Sequence, residues 1–187
     1  MTDREAQRRH CHPSMMNATA RRYSRYAAAL LALTLLAGLW LRAMMTVPGL
    51  PAPVRGPWLL HAHSHGGFFG WAAMGAFAVV TSRIRLGATS RAAHLVLAHL
   101  TGIASFAAFI GFALRGYDMV TIPLSAAHVV LWFTFVALVW RPLRELPALE
   151  RCLLRGALAF LVVAGLGTIA PVMVMVRGVS DPWLEPF

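Results

Sequence analysis

Five stretches of this chain, at about 26–45, 59–80, 92–114, 120–140 and 156–176, are almost wholly apolar. About 20 apolar residues in a row is the length a helix needs to cross a bilayer. Only short connections remain between the runs, too little for a soluble domain. Composition agrees: of 187 residues, 58% are hydrophobic and 13% are charged, which is too apolar for an ordinary soluble domain. The expected fold is all-α, an integral membrane bundle of five transmembrane helices. Its expected parts are a basic cytoplasmic tail at 1–25, the helical domain at 26–176 and a short external tail at 177–187.

The net charge of +10 comes from arginine, because the chain has no lysine. A basic balance can mark nucleic-acid binding, but the distribution here excludes that class. Arg4, Arg8, Arg9, Arg21, Arg22 and Arg25 precede the first run. Arg83, Arg85 and Arg91 follow the second, and Arg141, Arg144, Arg151 and Arg155 follow the fourth. The alternate side has Arg55, Arg115 and Arg177, with Arg42 near the end of the first run. Arginine-rich and arginine-poor connections alternate, as the positive-inside rule requires for five crossings. The expected topology is N-terminus inside and C-terminus outside, in a bacterial inner membrane. Trp40, Trp58, Trp140 and Trp183 fall at run ends, where an amphipathic ring favours the interface.

The segment "ARRYSRYAAALLALTLLAGLWL" has the outline of a signal peptide, with a loose twin-arginine match. No clean small-x-small cleavage site follows it, so it reads as an uncleaved first helix. Cys11 and Cys152 fall in the tail and in an inner loop, which does not make a disulfide framework. "HCH" at 10–12 reads as part of a basic tail.

Six of eight histidines lie in the apolar runs: His61, His63, His65, His94, His99 and His128. No acidic residue lies in a run core. Polar groups in hydrocarbon are costly unless paired or ligated. A chain that keeps carboxylates out and lets imidazoles in is selecting for imidazole, the common ligand of transition metals and of heme iron. At about 100° per residue, His61 and His65 share one helix face, one turn apart. His63 points the opposite way, beside Gly66, Gly67 and Gly70. That smooth face suits either a close neighbouring helix or a flat macrocycle. At about 1.5 Å per residue, His65 and His128 reach a similar depth below the outer face, roughly 10 and 12 Å. His99 lies near mid-membrane, with Gly102 leaving room for something flat beside it. His94 lies nearer the inner boundary, where it can snorkel or cap a helix end.

The stretch "LHAHSHGGFFGWAAMGAFAVV" resembles the second-helix signature of heme–copper oxidase subunit I-like proteins and of NnrS-type membrane proteins. The matching positions are His61-x-His63, then Gly70–Trp71, then Gly75; His99 and His128 stand where later helices supply single histidines. The resemblance implies a helical bundle binding heme b, with copper as a second cofactor, and a link to oxygen or nitric oxide chemistry. It covers one span closely and three loosely. A full oxidase subunit has about twelve spans and an adjacent histidine pair. Neither is present here, so a short single-domain relative or a half-size partner subunit is the expectation.

The candidate cofactor residues are thus His61, His63, His65, His99 and His128, and the candidate metal ligands His61, His63, His65 and His128. A six-coordinate heme would take one ligand from span two and one from span four. Phe68, Phe69, Trp71 and Trp132 are candidate walls. Two other readings stay open. One is transition-metal binding or transport, with His61 and His65 as a chelate one turn apart. The other is a structural or assembly subunit whose histidines serve packing. Expected partners are the lipid bilayer and a redox partner or other membrane subunits. If the chain belongs to an enzyme, it is a redox subunit.

Overall fold

The computed structural model describes residues 17–52 and 54–167. Residues 10–12 and the tail expected at 177–187 lie outside the described residues. Six α-helices, α1 to α6, account for most of the chain, and there is no strand among the described residues. Helix α1 is Ala18–Thr46. Helix α2, Gly56–His65, passes into a π-helical segment, Gly66–Ala72, and then into α3, Ala73–Arg83. Helix α4 is Ala88–Arg115 and α5 is Thr121–Trp140. A 3₁₀ turn, Pro142–Glu145, precedes α6, Ala148–Gly167.

Three segments are long and apolar enough to cross a membrane: Ala18–Thr46, Ala88–Arg115 and Thr121–Glu145. The second expected span is present as helical backbone from Gly56 to Arg83, but the π-helical segment divides it. The fifth begins at Ala148 with Glu150, Arg151 and Arg155, and its apolar remainder lies partly outside the described residues.

Local chemistry explains the ends. The Asn17 side chain accepts from the Ala20 N–H at 2.8 Å, so α1 starts before the apolar run. Buried Thr19, Ala20 and Tyr23 hold that first turn against its neighbours. Helix α4 stops at Gly116, whose φ of +63° suits a residue without a Cβ. The Asp118 carboxylate then accepts from the N–H groups of Val120 and Thr121, at 2.8 and 2.9 Å, and starts α5.

The helices run up and down. At one end the Asn17 amide donates to the Thr81 carbonyl at 2.7 Å, and Arg83 approaches Glu150 at 3.7 Å. The connections carrying Arg83, Arg85, Arg91, Arg141 and Arg144 belong to this end. At the other end Gly116 packs on Trp58, and Arg55 lies over the same indole at 4.7 Å. Helix α4 packs on α1, α2 and α5, and α6 packs on α5.

The surface is apolar to a degree that water does not favour. Leu36, Leu39, Val96, Ile103, Leu114, Val130, Phe160 and Val163 are each more than half exposed. The interior meanwhile buries His94, His128, Thr101, Ser105 and Thr121. An apolar exterior of this extent is compatible with a multi-pass membrane protein.

Candidate functional site

Histidines from two helical segments gather near the Trp58 end. His61 and His65 project from α2 one turn apart, as their spacing predicts. Both meet Tyr117, the residue between Gly116 and Asp118. The His61 and Tyr117 rings are 4.6 Å apart, and Nε2 of His65 is 3.2 Å from the Tyr117 hydroxyl. The turn fixes Tyr117: Gly116 sets the backbone, and Asp118 is pinned by two N–H groups and by Arg115 at 2.8 Å. Those N–H groups, Thr121 first, hold the Asp118 carboxyl below its ordinary value. Partial burial raises the Tyr117 phenol, which keeps its proton at neutral pH.

His65 is sandwiched between aromatic rings. Phe112 stacks on it at 4.0 Å and 7°, and Phe69 at 5.0 Å and 11°. The Phe69 ring also meets His128 at 5.4 Å and Trp132 at 5.0 Å. The shared depth expected of His65 and His128 therefore brings both against one phenyl ring. Their nitrogens turn to different partners. Nδ1 of His128 donates to the Leu124 carbonyl at 2.9 Å, and its Nε2 is 3.0 Å from the Ser105 hydroxyl.

The remaining histidines face elsewhere. His63 donates from Nδ1 to the Thr34 carbonyl at 2.8 Å and packs on Gly38 of α1. Its glycine-lined side meets protein as well. A Cβ on Gly66 would stand 2.8 Å from both Phe109 and Thr34, and one on Gly70 would touch Leu30. The close neighbouring helix, not a macrocycle, occupies that face. His99 pairs through Nδ1 with the Tyr26 hydroxyl at 2.8 Å. The flat group beside Gly102 is the Tyr26 ring, 2.6–2.7 Å from where a Cβ would be. His94 neither snorkels nor caps: it is fully buried, with no hydrogen-bond partner for either ring nitrogen among the described residues. Of the four candidate walls, Phe69 and Trp132 are buried, while Phe68 and Trp71 are turned outward.

Sequence reasoning missed Tyr117, Ser105 and Tyr26. Tyr117 alone carried a signal, an amphipathic ring in a Gly–Tyr–Asp turn between two spans.

Among the described residues no three histidine, cysteine, aspartate or glutamate side chains come together to hold a metal ion. His61, His65 and Tyr117 bring two imidazoles and a phenol together. Imidazoles one turn apart on a helix have metal-chelating spacing, and a phenol supplies an oxygen donor. Half-exposed Tyr117 leaves this group reachable from the Trp58 end. For heme the fit is poorer. The Nε2 atoms of His65 and His128 do not face a common point, and Phe69 lies against both rings. A porphyrin axially held by this pair does not fit the packing. No family model, no curated protein and no solved structure matches the chain.

Proposed function

We propose that this is a multi-pass protein of a bacterial inner membrane, with five crossings, N-terminus inside and C-terminus outside, that binds a transition metal through His61 and His65. Copper is the ion that suits the reading, since copper(II) accepts imidazole nitrogen together with oxygen donors. The observation that carries it is the convergence of both imidazoles on Tyr117 at the arginine-poor end. The two imidazoles would bind the ion and the phenol would add a third donor. Stacked Phe112 and Phe69 would hold the His65 ring in place. Bound copper supplies one-electron chemistry. With few protein donors a bound ion would keep open positions, which would suit a redox role with a membrane partner or a site for passing metal on.

A heme b reading has one observation in its favour. His128 donates Nδ1–H to a backbone carbonyl, the arrangement that fixes the tautomer with an unprotonated Nε2, which would ligate by exchanging its Ser105 hydroxyl partner for iron. It requires Phe69 to leave its place between the neighbouring rings of His65 and Trp132.

The test is metal analysis and visible absorption on the purified full chain, before and after loading with copper(II) and dialysis. The expected result is one retained copper per chain and loss of that copper in His61→Ala and His65→Ala, with His63→Ala and His99→Ala retaining it. A Soret band that disappears in His128→Ala would favour heme instead. Retention of neither metal nor pigment by a folded protein would refute both and leave the histidines to packing.

A further inference from the structure

Between α1 and the start of α2 lies an open groove of about 460 Å³. Leu36, Leu39, Trp40 and Ala43 form one wall. Their i, i+3, i+4, i+7 spacing puts them on one stripe of α1, about 10 Å long. Val54, in the connection after α1, and Leu59 of α2 form the other wall. The volume is that of a small-ligand cleft, ~300–1,000 Å³. Yet no carboxylate, amide or hydroxyl side chain of the described residues lines the groove to orient a polar ligand. A lining of this kind suits a hydrocarbon chain.

The end of the groove beside the connection carries charge. Arg42 precedes Ala43 and Arg55 follows Val54, and both arginines are exposed. The carboxylates among the described residues are Asp118, Glu145 and Glu150. Asp118 is taken by Arg115 at 2.8 Å and Glu150 approaches Arg83 at 3.7 Å, while Glu145 follows Arg144 at the opposite end. Arg42 and Arg55 thus have no carboxylate partner among the described residues. The Arg55 guanidinium lies over the Trp58 ring at 4.7 Å, a contact that leaves its in-plane N–H groups for an oxygen acceptor. Guanidinium matches phosphate in geometry and in charge. Trp40, on the wall, and Trp58 are rings of the kind that settle at the level of lipid headgroups.

We infer that this groove binds one anionic phospholipid from the leaflet at the arginine-poor end. An acyl chain lies between the α1 stripe and Leu59, and the phosphate accepts from the N–H groups of Arg42 and Arg55. A free phosphate ester offers the arginines the same oxygens but leaves the apolar walls uncovered, so the lipid is the occupant. The inference rests on the membrane reading and does not depend on a bound metal.

The experiment reconstitutes the full chain in vesicles of phosphatidylcholine and phosphatidylglycerol in equal amounts, floats them on a density gradient and re-extracts the protein in mild detergent. Native mass spectrometry then counts the lipids and the copies of the chain. The expected result is one phosphatidylglycerol per chain, preferred at least about tenfold over phosphatidylcholine. Arg42→Gln and Arg55→Gln are each expected to lower that preference about fivefold, the scale of one cation near an anionic lipid. Arg91→Gln, at the other end, should leave it unchanged. Ala43→Trp fills the groove and should lose both lipids. Arg42 and Arg55 are exposed, so their variants decide the matter if Ala43→Trp does not fold. Excess glycerol phosphate should not displace the lipid. Displacement by glycerol phosphate, an unchanged preference in both arginine variants, or a lipid-free dimer with a second copy in the groove would overturn the inference. A chain that floats with the vesicles but retains both lipids equally would overturn the site alone. A chain that does not float would remove the membrane reading, and the site with it.

Discussion

Gly102→Ala tests whether the smooth face of α4 is occupied by protein. A Cβ at 102 would stand 2.6–2.7 Å from three carbons of the Tyr26 ring. Non-bonded carbons settle at about 3.5–4.0 Å, so the ring has to retreat by about 1 Å. The Tyr26 hydroxyl is 2.8 Å from Nδ1 of His99, and the same retreat carries it beyond hydrogen-bonding reach. Overpacking costs about 1–3 kcal/mol and the lost bond about 0.5–1.5 kcal/mol. Alanine recovers about 1 kcal/mol over glycine in a helix. The net expectation is a loss of about 0.5–3.5 kcal/mol, read from equilibrium unfolding in mixed detergent micelles.

Three companions isolate the cause. Gly75→Ala, with nothing within 4 Å of the added methyl, should be neutral or slightly stabilising. Tyr26→Phe should lose only the hydrogen bond, about 0.5–1.5 kcal/mol. In a Tyr26→Ala background the added methyl has room, so Gly102→Ala should cost little more. A Gly102→Ala protein as stable as wild type would refute the reasoning and reopen that face to a bound flat group.

Reporter fusions after Arg91 and Arg151 should read cytoplasm, and one after Asp118 should read outside; an outside signal from the 83–91 loop would sink the five-span topology. Gly116→Ala places a Cβ 2.5 Å from Trp58 at a φ of +63°, and should cost about 1–3 kcal/mol and weaken copper retention by displacing Tyr117. Asp118 is held below its ordinary 3.8, so its contribution is present above that pH and fades as pH falls through the lower folded value. Unfolding midpoints between about pH 5 and pH 2 should therefore fall more steeply for wild type than for Asp118→Asn, and equal slopes would refute the assignment. Arg42→Leu should leave copper content unchanged, because Arg42 is exposed and near the end of α1.

The helices were legible because length and hydropathy alone decide them in lipid. The faces of α2 were legible as far as His65, where a step of about 100° per residue holds. Past Gly66 the π-helical segment advances fewer degrees per residue, and the pattern loses phase. Phe69 therefore turns inward while Phe68 and Trp71 face out, although all four candidate walls looked alike in the sequence. The partners of His63 and His99 were hidden for another reason. They are the Thr34 carbonyl and the Tyr26 hydroxyl, both on α1, and they depend on how that helix is rotated. Every residue has a backbone carbonyl, so composition cannot say which one a histidine will find. The excess of imidazole over carboxylate shows which groups are costly to bury, but not how each is satisfied. His63 and His99 are satisfied by α1. His94 is not satisfied by any described residue, and His61 and His65 meet at a tyrosine that solvent can reach.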